Sequence, residues 1–468
     1  MANKDSLLAD IDIAIIGGGV VGCAVARRLT LEGASVVLIE KAPDILDGAS
    51  KGNSAILHTG FDAPVGTLEW KCVQDGYEEY LSIRKSLNLP LLKSGALVAA
   101  WTEEEEDKFP DILKKGAENG VNDLHLLSRS EVLALEPNLS GKIRAAIRVP
   151  REFVIDPWSA PLAYLMQSLS NGGKALFNAG VTGGEFSGKT WRLKTPKGIV
   201  RARYVVNSAG LYGDILDQDV LGKSEFTIKP RKGQFVVFDK AANNLVKSIV
   251  LPVPTKRTKG IVLFPTIFGN LMVGPTAEEQ EDRDNAAVDK DILNDLHAQA
   301  IDKLPMLKNI PVTATYAGIR PATERPEYRI IDDCNRNWIT LGGIRSTGLT
   351  SALGIAKHVH SLLHKMDAEF TAIQKPSVPK LPNLAEHSKR DNATSGYGEI
   401  VCHCEMVTQR EIKAALESEL LPVGSLAGLK RRTRVTMGRC QGFYCSARLA
   451  ELTEGKFEEP IAVGDIDE

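Results

Sequence analysis

The sequence predicts a mixed architecture, part α/β and part α+β: a Rossmann-like unit at the front, an inserted and mostly antiparallel β region, and a small helical module at the end. Three observations predict it. Residues 12–40 read as strand, glycine-rich turn, helix, second strand and terminal acid. Residues 226–332 hold short apolar runs separated by Pro and Gly, interrupted by one helical pattern. Beyond a stretch poor in apolar residues, four of the 7 cysteines crowd into positions 402–445.

The front unit is the most specific. Ile13 to Ile16 form an apolar β run, Gly17, Gly19 and Gly22 follow it, a helix runs on to Leu31, and a second apolar run from Val36 to Ile39 ends on Glu40. Each glycine has a physical role: Gly17 allows the tight turn, Gly19 lets backbone N–H groups approach a pyrophosphate at the helix N-terminus, and Gly22 permits close helix-to-strand packing. Glu40 is placed to accept hydrogen bonds from ribose hydroxyls.

The whole chain bounds the remaining choices. Its 468 residues suggest two or three domains. With 43% apolar and 25% charged residues the composition is that of a globular protein. The net charge of −2 provides no global field to recruit nucleic acid or an anionic membrane. No apolar run approaches the roughly 18 residues of a spanning helix, and the N-terminal decapeptide is too short and polar for a signal peptide. The expected location is cytoplasmic, with any membrane contact peripheral, at the inner face.

After Glu40, a loop over 41–64 is rich in Gly, Ser, Asn and Asp and holds Asn53, Ser54 and His58. Helix is predicted over 68–87, strand over 95–100, and an acidic helix from Glu103. Ser128 with Glu131 makes a capping box for a helix that stops before Pro137. Asp156-Pro157 marks another helix start, ending at Asn171-Gly172-Gly173. Strands follow over 175–186, 191–194 and 204–207, the last running into Ser208-Ala209-Gly210, small residues where a backbone can approach a ligand. The β region is predicted over 226–239, 248–254, 260–265, 270–274, 313–320 and 328–332, with a helix over 289–304. Residues 338–365 are again strand, glycine-rich turn and helix. Residues 375–398 read as a linker.

Cys402 and Cys404, then Cys440 and Cys445, would present two thiolates each from two hairpin-like loops. Thr408 with Glu411 caps a short helix between them. Four cysteines bind zinc readily, but a one-residue gap is unlike a zinc knuckle. Attachment to a nucleotide-binding redox-type fold favours a [2Fe-2S] cluster, with zinc as the alternative. His403 reads as a spacer; Cys23, Cys72 and Cys334 are isolated thiols. The run from Lys430 to Arg434 reads as a solvated basic edge or a dock for an acidic electron acceptor.

The front fingerprint, the 52–60 loop, the 254–266 segment, the 316–323 turn and the 342–356 end together resemble the D-amino-acid-oxidase-like flavoproteins. Within them, the chain is similar to the branch of glycerol-3-phosphate dehydrogenases or oxidases and L-2-hydroxyglutarate oxidase, over residues 10 to about 365. The tail resembles the bacterioferritin-associated-ferredoxin-like [2Fe-2S] domain, which the anaerobic glycerol-3-phosphate dehydrogenase catalytic subunit also carries. The resemblance implies an oxidoreductase over 10–374, with FAD-binding segments near 10–90, 150–215 and 325–370 and substrate-domain segments near 91–149 and 216–324. A linker over 375–398 and a [2Fe-2S] domain over 399–468 complete the expected order.

For FAD the resemblance implies Gly17, Gly19, Gly22 and Glu40, then Lys41, Ser50, Asn53 and Ser54, Val181, Ala209 and Gly210, and finally Gly343, Ser346, Gly348, Leu349 and Thr350. The last group opens a helix, whose N-terminus would stabilise an anionic reduced flavin. It implies His58 as acceptor of a substrate hydroxyl proton, Arg320 as the cation holding a substrate anion, and Lys259 as a further polar contact. Arg320 has the alternative of an ion pair with Glu324, and His58 that of a hydrogen-bonded loop histidine. Arg345 and Thr347 stand where many relatives have an acid and a proline; the added cation favours an anionic substrate or the anionic reduced flavin.

The expected function is an FAD-dependent dehydrogenase that oxidises a small anionic secondary alcohol, glycerol 3-phosphate or a 2-hydroxy acid such as L-2-hydroxyglutarate. Electrons would leave singly through the cluster to an acceptor protein or quinone-linked partner. Oxidation of an amino acid or amine is the first alternative, and a non-catalytic flavin and iron-sulfur carrier the second. Homo- or hetero-oligomeric assembly is left open.

Overall fold

The computed structural model describes residues 6–254 and 260–461. A mixed sheet forms its front layer. Strand Leu7–Ile16 lies between Val36–Ile39 and Gly198–Asn207, all three parallel, with Lys174–Leu176 beyond the second and Trp338–Gly342 beyond the third. The strand Val36–Ile39 is buried throughout, so its unbroken apolar run reads as a parallel strand covered on both faces. Helices Val20–Leu31, Ser159–Leu169 and Gly348–Lys365 cover one face, contributing Cys23, Ala24, Leu165, Ala352 and Ile355 to a common core with Ile13, Ile15 and Leu38.

The helix after Asp156 begins at Ser159, later than the Asp-Pro signal suggests. Asp156 still does the capping, because its carboxylate accepts from the N–H groups of Trp158 and Ser159. Pro157 therefore sits in a turn before the helix. The capping boxes at Ser128 with Glu131 and at Thr408 with Glu411 form as the sequence indicates.

The second layer is a nine-stranded sheet in which Ile228–Phe238 and Val312–Thr323 form the longest antiparallel pair. Ala96–Ala100, Ala145–Val149, Ile249–Pro252, Val262–Pro265 and Leu271–Gly274 extend it. A small three-stranded sheet joins Ile56–Leu57, Leu91–Leu92 and Phe153–Ile155 where the two large layers meet.

Helices Leu68–Ile83 and Gly348–Lys365 cross with glycines at the contact. A side chain on Gly76 would collide with the carbonyl of Thr350, and one on Gly354 with that of Cys72. This close approach fixes the start of the second helix beside the small sheet.

The 375–398 stretch is not a free tether. Leu381 donates its N–H to Leu87 and Glu386 to Ile267, and Leu384 and Ala385 are buried against the second layer. The C-terminal module has its own core of Val401, Val407, Ile412, Leu429 and Leu449. Among the described residues no helix is long and apolar enough to cross a membrane.

Candidate active site

The glycine turn is built as its spacing suggests. Gly17 has φ +109°, and a side chain there would lie 2.5 Å from the carbonyl of Ser208. At Gly22 a side chain would collide with the carbonyl of Gly17. A Cβ on Gly19 would meet only Ser50 Oγ, so this side of the turn is open. The Val20–Leu31 helix has no side-chain cap and no acid in its first turn; Val20 N–H donates to Ser50 Oγ at 3.0 Å. An open cradle at an uncompensated helix N-terminus fits a pyrophosphate.

Glu40 accepts from Gly18 N–H at 2.5 Å and from Ala42 N–H at 2.8 Å. Burial pushes its carboxyl above the usual range, opposed by those two N–H groups. A carboxylate offers about four acceptor positions, so capacity remains for ribose hydroxyls. Ser208-Ala209-Gly210 closes against Gly17, and Gly210 holds φ +56°. The residues present therefore fit the dinucleotide portion of FAD.

Loop 52–58 leads to the small sheet. Asn53 is held locally, donating to Ser50 O and accepting from Ala55 N–H. Gly52 packs against Gly318, where a Cβ would lie 3.0 Å from the Gly318 Cα. The hydroxyl of Tyr316 donates to Asn53 O at 3.0 Å. Both contacts bring the strand Val312–Thr323 onto this loop.

His58 follows Leu57, which pairs with Phe153 in antiparallel register. Continuing that register places His58 opposite Glu152, and His58 Nδ1 lies 3.0 Å from Glu152 Oε2. The other oxygen of Glu152 accepts from Thr59 N–H at 2.6 Å and Thr59 Oγ at 2.7 Å. Glu152 is 0% exposed, whereas a quarter of the His58 side chain, 25%, remains open. The backbone N–H of His58 donates to Thr350 Oγ at 3.0 Å, tying it to the start of the Gly348–Lys365 helix. Burial acts to lower the His58 pKa, but the Glu152 charge and hydrogen bond, with Asp62 and Glu69, outweigh it and hold the ring above its ordinary value.

Arg320 pairs across the sheet with Arg231 and shares the face of Gly318 and Tyr316. It donates one hydrogen bond, to Thr276 O at 3.0 Å. Among the described residues it forms no ion pair; Glu324 instead pairs with Arg329 at 3.2 Å. Burial, with the Arg231 charge, lowers its pKa to about 10, still leaving it cationic at neutral pH. A desolvated guanidinium with spare donors suits a carboxylate or phosphate.

Gly343 turns at φ +70° before the Gly348–Lys365 helix, which again has no side-chain cap and no acid in its first turn. Ser346 is exposed there, and Gly348 and Leu349 are half-buried. Thr347 donates instead to Glu69 Oε1 at 2.8 Å and meets the Tyr328 hydroxyl at 2.6 Å. Arg345 lies 4.0 Å from Glu69, and its buried Nε has no partner. The departures at 345 and 347 thus come with a buried acid on the helix Leu68–Ile83.

Other expected contacts lie farther out. Lys41 extends over the Tyr212 ring at 3.8 Å and toward Asp284, and is largely exposed. Ser54 and Val181 are half-buried. Lys259 falls outside the described residues. Glu152, the immediate partner of His58, is absent from the sequence reading; its one signal is an acid directly before the short apolar run Phe153–Ile155.

In the C-terminal module, Ile400–Cys402 pairs with Val407–Thr408, so Cys402 and Cys404 do sit at a hairpin. The second loop is not a hairpin: Cys445 opens the helix Ser446–Thr453, and Cys440 precedes it in turns. The four thiols lie close together, Cys404 near Cys440 and Cys402, and Cys445 near Cys402 and Cys440. The N–H groups of Tyr444, Gly442 and Phe443 point at the Cys440 sulfur and lower its pKa, Tyr444 most. Burial raises Cys404 and takes Cys445 to about 11. Among the described residues no three His, Cys, Asp or Glu side chains converge on one point as a single-ion cage. Four thiols gathered in one place, with backbone donors on the Cys440 sulfur, fit a [2Fe-2S] cluster held by four thiolates. Cys23 and Cys72 are buried and Cys334 is exposed.

The basic run is neither solvated nor free. Arg432 pairs with Asp44 at 2.5 Å, Arg431 donates to Ile45 O at 2.8 Å, and Arg434 pairs with Glu405 at 2.7 Å. All three side chains are essentially buried. Arg431 and Arg432 dock the module onto the loop that follows Glu40, while the Arg434–Glu405 pair lies within the module, and Leu46 in that loop donates to Gly18 O.

Comparison with known proteins gives a consistent picture. Residues 12–362 match the family described as DAO, FAD dependent oxidoreductase, and residues 400–454 match the BFD-like [2Fe-2S] binding domain. A glycerol 3-phosphate dehydrogenase of Caloramator mitchellensis is 33% identical over 452 residues, spanning 94% of this chain and 93% of that protein. A mitochondrial L-2-hydroxyglutarate dehydrogenase of Nematostella vectensis is 28% identical over 284 residues, 57% of this chain and 62% of that one. The structure of reduced L-α-glycerophosphate oxidase from Mycoplasma pneumoniae with FAD bound superposes with a TM-score of 0.74 at 28% identity, covering 80% of this chain and 100% of that one.

Proposed function

Because the chain belongs to the DAO family of FAD-dependent oxidoreductases and ends in a BFD-like [2Fe-2S] domain, we propose that it oxidises glycerol 3-phosphate at its secondary hydroxyl and passes the electrons on singly. The observation that carries this reading is Arg320, a desolvated cation with no ion-pair partner among the described residues, on the sheet face that packs against the loop leading to His58. The likeness to a glycerol 3-phosphate dehydrogenase over 94% of the chain, tail included, favours the phosphate over the 2-hydroxy acid, whose relative aligns over 57%.

In this reading Arg320 binds the substrate anion through its spare N–H groups. That contact orients the alcohol carbon, and orientation within a closed site is a large part of such catalysis. His58 accepts the hydroxyl proton at Nε2, the ring nitrogen not facing Glu152. FAD, when bound, supplies the acceptor for the hydride of the adjacent C–H. The turn 17–22, Glu40, Ser50 and residues 208–210 would hold its adenosine diphosphate part, and the start of the Gly348–Lys365 helix its ring. A [2Fe-2S] group on Cys402, Cys404, Cys440 and Cys445 would supply one-electron exchange, which calls for a one-electron acceptor partner.

Anaerobic bleaching tests the reading. The flavin absorption of the purified holoenzyme should fall quickly on addition of glycerol 3-phosphate and much more slowly, or not at all, with L-2-hydroxyglutarate or amino acids. Bleaching by L-2-hydroxyglutarate alone would transfer the assignment to 2-hydroxy acids; bleaching by none would defeat the dehydrogenase reading.

A further inference from the structure

The carboxylate against His58 neither holds the substrate anion nor receives the hydroxyl proton. Its oxygens are used asymmetrically. Oε1 takes two donors from Thr59, at 2.6 and 2.7 Å, while Oε2 faces only the imidazole. With a side chain that is 0% exposed, water does not compete for either oxygen. The geometry is also fixed by backbone: Ile56 pairs with Val154 and Leu57 with Phe153, so the next step of the register sets His58 against Glu152.

We propose that Glu152 is the positioning residue of His58, holding the proton of the neutral ring on Nδ1 so that the Nε2 lone pair faces the substrate hydroxyl. The proposal rests on the alcohol-dehydrogenase reading for its chemistry, although the placement itself does not require it. An ionised carboxylate is an acceptor only, so Nδ1 must carry hydrogen. In a neutral imidazole Nε2 is then the basic nitrogen. On oxidation the O–H bond gives its proton to Nε2, the C–H bond gives hydrogen with its electron pair to FAD, and a C=O double bond forms. The imidazolium produced is met by a carboxylate already in place, so no group has to reorganise as the charge appears.

Other charges face the ring as well. Asp62 from the same loop and Glu69 from the helix Leu68–Ile83 act in the same sense as Glu152. Glu69 is partly offset by Arg345 at 4.0 Å, and Lys115 bonds the backbone carbonyl of Asp62, behind it. None of these touches a ring nitrogen; Glu152 alone does so among the described residues.

The test is nitrogen NMR of the imidazoles in the oxidised holoenzyme, with the His58 signal identified by its loss in His58→Gln. Wild type should show hydrogen on Nδ1 in the neutral form. In Glu152→Gln the fixed N–H of Thr59 demands the amide oxygen, so the amide NH2 turns to the ring and forces hydrogen onto Nε2. The titration midpoint of His58 should fall, and flavin bleaching by glycerol 3-phosphate should slow by about 10²- to 10⁴-fold with KM little changed, the scale of a general base lost. Thr59→Val removes one anchor of the carboxylate and should move the midpoint the same way by less. Hydrogen on Nε2 in wild type, or an unmoved tautomer and midpoint in folded Glu152→Gln, would overturn the proposal. If no alcohol bleaches the flavin but the tautomer behaves as stated, the reaction reading fails and the positioning role stands.

Discussion

Asp44 and Arg432 close a buried ion pair of 2.5 Å between the loop after the second strand of the front sheet and the C-terminal module. Asp44 also accepts from Gly424 N–H, and Gly428 packs against it so closely that no side chain would fit. Removing one partner of such a pair strands the other in an apolar setting, at a cost of about 3–5 kcal/mol. Asp44→Ala should therefore lower the thermal midpoint and expose the 387–399 stretch to limited proteolysis. An unchanged midpoint would mean that the module is held elsewhere.

Gly22→Ala should give protein with little bound FAD. The new methyl would collide with the carbonyl of Gly17, so the turn must open, and overpacking of this kind typically costs about 1–3 kcal/mol. The ratio of flavin to protein absorbance in the purified variant reads the effect directly.

Arg320→Ala should reduce kcat/KM for glycerol 3-phosphate by roughly 30- to 150-fold, the equivalent of about 2–3 kcal/mol for a charge-assisted hydrogen bond. Arg320→Lys should recover only part of it, since an ammonium cannot reproduce the planar fork. A variant with unchanged KM and kcat would remove Arg320 from the site.

The pH dependence follows from His58, whose pKa is held above 6.5 by Glu152 against the effect of burial. Only the neutral ring can accept the substrate proton, so kcat/KM should rise with pH through a midpoint above 6.5. Stability runs the other way. A raised folded-state value contributes stability that is fully present below the unfolded pKa and is lost as pH rises through the folded one. Urea unfolding of wild type against His58→Gln, at about pH 5.5 and about pH 8.5 around the ordinary histidine value, should show the larger difference at the lower pH.

Cys440→Ser should lose the iron-sulfur absorption yet keep FAD, because Cys440 is not among the residues that form the dinucleotide cradle. Flavin bleaching by substrate should persist while turnover with a one-electron acceptor slows at least tenfold, a barrier increase of about 1.4 kcal/mol or more. Equal turnover in variant and wild type would refute the relay.

The parts of the site visible in the sequence are those set by local chemistry. Gly17, Gly19, Gly22 and Glu40 reveal themselves because a tight turn, a close approach and a strand-end acid need those residues at that spacing. The pair of His58 and Glu152 was hidden because it depends on two very short strands, Ile56–Leu57 and Phe153–Ile155, finding each other across almost a hundred residues of chain. Arg431, Arg432 and Arg434 misled for a related reason. A basic run looks solvated until Asp44, Ile45 and Glu405 are known to face it. The helix start at Ser159 shows a milder version, with the capping acid correct and the first turn displaced.

The docked arginines also determine what the 375–398 stretch does. In a tethered carrier, linker length sets an effective concentration, and with it how often the carried group visits its donor. Here the module is already seated, and its linker is pinned at Leu381 and Glu386. Extra glycines inserted near residue 395 would lengthen a segment that no longer searches for anything. Transfer within the chain would then occur across one constant gap, and the only encounter left to diffusion would be with the acceptor outside.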